Sequence, residues 1–326
     1  MSGGLAGAIT VLHPALEQAL GNIAEVHGSK IADAAFRSLA RLLSDGVDQT
    51  ADRDEIWRSS RLGRTGFPVE FAFVTSSPEL RYTSEVGSPG RPLQERLIEA
   101  CQQIFSLSGH AIPEKILRTA VELQWNAALK YGAWIGCRYK AETASYKLYI
   151  EVPPGRTWLP DEIPRVPELH HRNLELSMIG YQHGSVETYY AVKRLRPGEV
   201  STAMAPIGME SRAAEVLDLL AEARMRPIHR EMPSVDFGFS YAVPQGGPAV
   251  FTLYAFANSL FGGDGRIRAA VLKLAERRGW SLPLYERLSA PLAETRGHIT
   301  HHGLFGIVVP PEGPLGISLG LTPSIL

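Results

Sequence analysis

Strand pairing is the feature that most constrains this chain. Five times along its 326 residues a helical or linking stretch leads into two strand-length runs joined by a short turn. The first unit has a helical stretch from His13 to Leu43, then strands over Pro68–Val74 and Leu80–Val86, with Ser76-Ser77-Pro78 as the turn. The second places helices over Leu93–Phe105 and Glu114–Lys130 before strands at Gly132–Lys140 and Ala144–Val152. In the third, the proline-rich stretch Pro153–Pro167 stands where a helix would be, ahead of strands at Asn173–Tyr181 and Val186–Lys193.

The fourth unit has a helix over Ser211–Arg224 and strands at Ser234–Val243 and Ala249–Phe256 around the Gln245-Gly246-Gly247-Pro248 turn. The fifth has helices at Ile267–Arg278 and Leu284–Leu292, then strands at His298–Val309 and Leu315–Leu321. A parallel α/β sheet would alternate single strands with single helices, and these strands come in pairs. Paired strands separated by amphipathic helices predict an α+β domain over residues 1–326. Its expected form is a ten-stranded antiparallel barrel of five α-β-β units, with helices outside and a ligand in the lumen. Closure also removes exposed sheet edges.

Because strand side chains alternate, the sequence separates a helix-facing set from a lumen-facing set. Val69, Phe71 and Phe73 form one face of the first strand and leave Glu70 and Ala72 on the other. Arg81 and Thr83 share a face with Glu85, and Trp134 shares one with Arg138 and Lys140. Lys147, Tyr149 and Glu151 oppose Tyr146, Leu148 and Ile150. Leu174, Leu176 and Met178 read as apolar against Asn173, Glu175 and Ser177, and Val235, Phe237 and Phe239 as apolar against Asp236 and Ser240. With the apolar face under helices, the polar and aromatic set points inward. A ten-stranded barrel is wide enough to keep that interior wet, so its charges need not be desolvated.

Such a lumen suits an anion of concentrated charge. Arg81, Arg138, Lys140 and Lys147 are candidate ligands for a diphosphate, since arginine forks onto phosphate oxygens. Trp134, Tyr149, Tyr189 and Tyr254 offer π faces that stabilise a carbocation without trapping it. Glu70 is a carboxylate in an otherwise apolar strand, placed to act as general base or hydrogen-bond anchor for an acceptor. Its structural alternative is an ion pair with a neighbouring inward arginine.

These segments resemble the aromatic prenyltransferases of the α-β-β-α (ABBA) barrel kind, and the resemblance spans essentially the whole chain. Phe67-Pro68-Val69-Glu70 is similar to the family segment whose glutamate contacts the acceptor. Leu80-Arg81-Tyr82-Thr83-Ser84-Glu85 is similar to the strand whose arginine binds diphosphate, and Ser145-Tyr146-Lys147-Leu148-Tyr149 to its Lys-x-Tyr signature. Three further stretches look closer to the cyanobactin peptide branch. They are Gly136-Cys137-Arg138 to Val152, Ile179-Gly180-Tyr181 leading to Glu187-Thr188-Tyr189, and Gly247-Pro248-Ala249-Val250 leading to Tyr254.

The resemblance implies a dimethylallyl or longer prenyl diphosphate donor and an indole, phenol or peptide side chain as acceptor. For the peptide branch it also implies a Mg²⁺ ion on the diphosphate. Where fungal members carry a second Arg-x-Lys-x-Tyr this chain has Ser185-Val186-Glu187-Thr188-Tyr189, so two cations are missing and Glu187 joins the candidate site. No tyrosine stands in the last strand pair; His302 or Phe305 is the expected substitute for the missing shield. Two alternatives remain: a small phenolic metabolite as acceptor, and a non-catalytic barrel binding a hydrophobic or peptide ligand.

Other readings fall away. A net charge of -1 gives no field for nucleic acid or an anionic membrane. Cys101 and Cys137 lack the spacing of a zinc or redox motif and read as two thiols in a reducing cytoplasm. Neither a secretory signal nor a membrane span is legible, so a cytoplasmic location is expected; a monomer is expected as well. His170-His171 and His301-His302 cannot readily share one metal, because adjacent strand residues point oppositely. Phe261-Gly262-Gly263-Asp264-Gly265-Arg266 lacks the Lys-Ser/Thr pair of a phosphate loop and reads as a turn into a helix. There is also no Asp-Asp-x-x-Asp run and no Gly-x-Ser-x-Gly elbow.

Overall fold

The computed structural model describes residues 12–44, 57–87, 91–140, 143–156, 169 and 173–324. The first helical stretch is two helices, α1 (Pro14–His27) and α2 (Ser29–Ser44). Gly28, at φ 90°, breaks the run by turning the chain where a side chain would be strained. The first hairpin is β1 (Val69–Val74) and β2 (Leu80–Ser84). Helices α3 (Leu93–Ser108) and α4 (Glu114–Gln124) follow, then β3 (Ala133–Lys140) and β4 (Thr143–Glu151). Helix α4 stops six residues short of the sequence expectation because Trp125 is extended and Asn126 takes a positive φ of 53°.

Strands β5 (Leu174–Gln182) and β6 (Ser185–Lys193) form the third pair; most of the proline-rich link before them, and His170-His171, lie outside the described residues. Then come α5 (Glu199–Met204), which the sequence reading missed, and α6 (Ala213–Arg224). They lead to β7 (Asp236–Pro244) and β8 (Val250–Phe256). The chain continues through α7 (Ala257–Phe261), α8 (Asp264–Arg278) and α9 (Pro283–Leu288) to β9 (His302–Val309) and β10 (Gly316–Leu321). The glycine-rich stretch before α8 is a turn and helix entry, with Gly263 as the N-cap.

The ten strands form one closed antiparallel barrel in sequence order, completed by β1 against β10 through Phe71↔Leu321, Ala72↔Gly320, Phe73↔Leu319 and Val74↔Ser318. The core lies between the barrel wall and its helices, not inside the barrel. Phe71, Tyr82, Phe239, Phe251 and Leu253 are all buried there. Each contributes about 1.5–3 kcal/mol by leaving water. Some of the polar groups that enter this layer are bonded to one another: the Ser38 hydroxyl meets the Tyr139 hydroxyl at 2.5 Å and also that of Tyr82, whereas among the described residues the Tyr190 hydroxyl and Thr188 Oγ1 are buried without a partner. Cys101 and Cys137 are free, and burial pushes both thiols up to about 12, leaving them un-ionised at neutral pH.

Candidate active site

With the outer face committed to the core, the other face of every strand is left to line the lumen, a cavity of about 1850 Å³. Glu70, Arg81, Trp134, Arg138, Lys147, Tyr149, Glu187, Tyr189, Asp236 and Tyr254 all line it. Two expected members do not. Lys140 is exposed at the end of β3, beyond the wall. His302 is 1% exposed on the helix side of β9. Its Nδ1 lies 2.6 Å from Asp264 Oδ1 and its Nε2 3.0 Å from the Tyr285 hydroxyl, so the ring closes a structural network. Phe305 also faces outward, against Phe261, and the last strand pair supplies no aromatic shield.

Glu70 projects from β1 between the fully buried Val69 and Phe71. Among the described residues no hydrogen bond or ion pair reaches its carboxylate, so the arginine ion pair that was its structural alternative is not formed. Burial alone therefore sets its proton affinity and raises its pKa to about 8.

Arg81 and Arg138 sit directly opposite each other in the β2–β3 register. Glu79 bridges them, with Arg81 Nη2 at 3.0 Å and Arg138 Nε at 3.5 Å from one carboxylate oxygen. Burial would raise Glu79, but a hydrogen bond from Ser77 and the two guanidinium groups hold it below its ordinary value. Lys147, on β4, donates to Glu187 and to the Tyr189 hydroxyl at 3.0 Å. Its ammonium also stands 5.0 Å from the Tyr149 ring centroid and 5.4 Å from that of Tyr189. Burial disfavours both ions of the Lys147–Glu187 pair, yet their mutual attraction prevails, leaving the lysine pKa raised and the glutamate pKa lowered. Ser240 donates to the second Glu187 oxygen at 2.6 Å.

The aromatic rings form a connected wall. Tyr149 and Tyr189 lie edge to face at 6.0 Å, Tyr189 and Tyr254 are tilted to each other at 6.4 Å, and Trp134 is stacked by Tyr131 at 3.7 Å. Tyr254 is anchored by donating to the Tyr190 carbonyl at 3.2 Å. Asp236 is exposed at the start of β7, paired across strands with Lys193 at the rim.

Three further departures have local causes. Met178, expected on the outer face, lines the lumen because a bulge between Leu176 and Met178 reverses the alternation. Glu85, expected beside Arg81, lies past the end of β2 and pairs with Arg96 at 2.5 Å and with Ser60 at 2.7 Å. The segment 57–66, unassigned in the sequence, brings Arg58, Arg61 and Arg64 to the cavity. Arg64 lies over the Phe256 ring at 5.8 Å.

No protein-family model matches this sequence, and no curated protein matches it either. Solved structures do match. The apo prenyltransferase PriB superposes with a TM-score of 0.69 at 14% identity, over 94% of this chain and 95% of that one. The 6-dimethylallyltryptophan synthase from Micromonospora olivasterospora, in complex with DMASPP and Trp, gives 0.68 at 18% identity, over 94% and 96%. AnaPT from Neosartorya fischeri gives 0.63 at 14% identity, over 96% and 95%. At such identities the likeness establishes the barrel fold.

Proposed function

We propose that this protein is an aromatic prenyltransferase, moving a prenyl group from its diphosphate to an electron-rich ring, with an indole as the first acceptor class to test. The observation that carries the reading is the convergence on one chamber of paired cations, a tyrosine wall and an unpartnered, desolvated carboxylate. The similarity to an enzyme crystallised with a dimethylallyl donor analogue and tryptophan supports it. A hydrophobic-ligand carrier would account for the aromatic wall but not for the cations or for Glu70.

In this reading Arg81, Arg138 and Lys147 hold the diphosphate. The allylic C–O bond breaks and its electron pair leaves on that group. Tyr149, Tyr189 and Tyr254 cover the cation with π faces and keep water from it. Glu70 accepts the acceptor's N–H, which favours its carboxylate form and enriches the ring as the new carbon–carbon bond forms. The proton lost from the attacked carbon passes to the released diphosphate, the basic group that the cations retain in the chamber.

Charge balance bears on the metal. The three cations are offset by Glu79 and Glu187, whereas a prenyl diphosphate brings roughly three negative charges. Among the described residues no three His, Cys, Asp or Glu converge to hold an ion. A Mg²⁺ ion, if it takes part, would be held through the donor's diphosphate and would offset part of its charge.

The test mixes the protein with dimethylallyl, geranyl or farnesyl diphosphate and with tryptophan, tyrosine, a small phenol or a short peptide, with and without chelator. Diphosphate release and product mass are read together. A product heavier by one prenyl unit supports the proposal and identifies the acceptor. Absence of prenylated product with every pair, with and without added Mg²⁺, overturns it.

A further inference from the structure

Glu70 has no polar partner among the described residues, so something other than a hydrogen bond must fix its position. Two glycines of the closing strands supply that restraint. An ideal Cβ built on Gly303 would stand 2.0 Å from Glu70 Oε1, and one built on Gly320 would stand 2.6 Å from its Cδ and Oε1. Neither glycine has a positive φ, so it is the missing side chain that is used here and not glycine's conformational freedom. Both lie where the β9–β10 register shifts between Leu319 and Leu321.

The device recurs around the chamber. A Cβ on Gly180 would meet Lys147 Cε at 2.2 Å, one on Gly238 would meet Tyr254 Cε2 at 2.2 Å, and one on Gly136 would meet Tyr149 Cε2 at 2.8 Å. In each case a side chain of the site lies flat over a neighbouring strand where that strand carries no side chain, and the lumen stays open above it.

We propose that Gly303 and Gly320 are positioning residues for Glu70, forming a side-chain-free cradle that fixes its carboxylate. The catalytic part of this inference rests on the transferase reading above; the positional part does not. A methyl group on Gly303 forces the carboxylate to move by about an ångström to reach the 3.0 Å that real Cβ contacts respect. The clashing atoms at both glycines belong to the flexible end of Glu70 and not to backbone, so the fold accommodates the change.

The test uses Gly303→Ala and Gly320→Ala, each in wild-type and Glu70→Ala backgrounds. For position, urea unfolding should show each alanine destabilising the wild type and costing less than half as much when Glu70 is Ala. Equal costs in the two backgrounds overturn the cradle. For function, kcat should fall about 100-fold, the usual penalty for a catalytic group misplaced by an ångström, with diphosphate affinity unchanged. Shortening the acid should give room back, so Gly303→Ala with Glu70→Asp should turn over faster than Gly303→Ala alone. Wild-type kcat in both glycine variants overturns the positioning role. If the wild type transfers nothing, the transferase reading falls and the unfolding cycle alone decides the cradle.

Discussion

Replacing Glu70 with glutamine should stabilise the folded protein at alkaline pH and do little for it in acid. The carboxyl is raised from an ordinary 4.5 to about 8 by burial. Below 4.5 it is protonated in folded and unfolded chains alike, and folding carries no ionisation cost. Between 4.5 and 8 the unfolded chain loses the proton while the folded one retains it, so wild-type stability declines steadily relative to the glutamine variant. Above 8 both states are ionised and the gap stays constant. At 1.36 kcal/mol per unit, a fully dry site would give about 5 kcal/mol, and water in a wide lumen lowers this to about 1–3 kcal/mol. Urea titrations followed by tryptophan fluorescence at half-unit steps from pH 5 to 9 measure it directly. A gap that does not change with pH, or one that favours the wild type as pH rises, would refute the account of Glu70 as a desolvated, unpartnered acid.

In the transfer assay, wild-type kcat/KM should rise with pH through about 8 as the carboxylate form accumulates, and Glu70→Gln should lack that limb. Glu187→Gln should free the Lys147 ammonium for an anion; isothermal titration should show inorganic diphosphate binding about tenfold tighter, or about 1.4 kcal/mol, with less dependence on Mg²⁺. Asp264→Ala removes a buried carboxylate that accepts from the backbone N–H groups of His301 and His302 and from the His302 ring. It should lower stability in denaturant unfolding by about 3–5 kcal/mol while leaving diphosphate affinity intact.

Much of the chamber was legible because period-two alternation survives wherever a strand is regular. Lys147 and Tyr149 point inward since Leu148 and Ile150 are needed outside, and the same logic places Glu70 between Val69 and Phe71. The logic fails at irregularities. A single bulge turns Met178 around, and the early end of β2 releases Glu85 to Arg96. His302 was misplaced because its partner Asp264 lies 38 residues earlier, a distance over which local pattern carries no information. The glycine cradle was illegible for a different reason: a missing side chain signifies something only when the atom occupying its place is known.

The seam between β1 and β10 also sets when the site can exist during synthesis. Glu70 is made early, but the backbone that cradles it is more than two hundred residues downstream, at Gly303 and Gly320. Until β10 has left the ribosome, the sheet has two raw borders and the interior lies open. The chamber and the cradle of Glu70 are thus completed together, in the zipping of one strand pair.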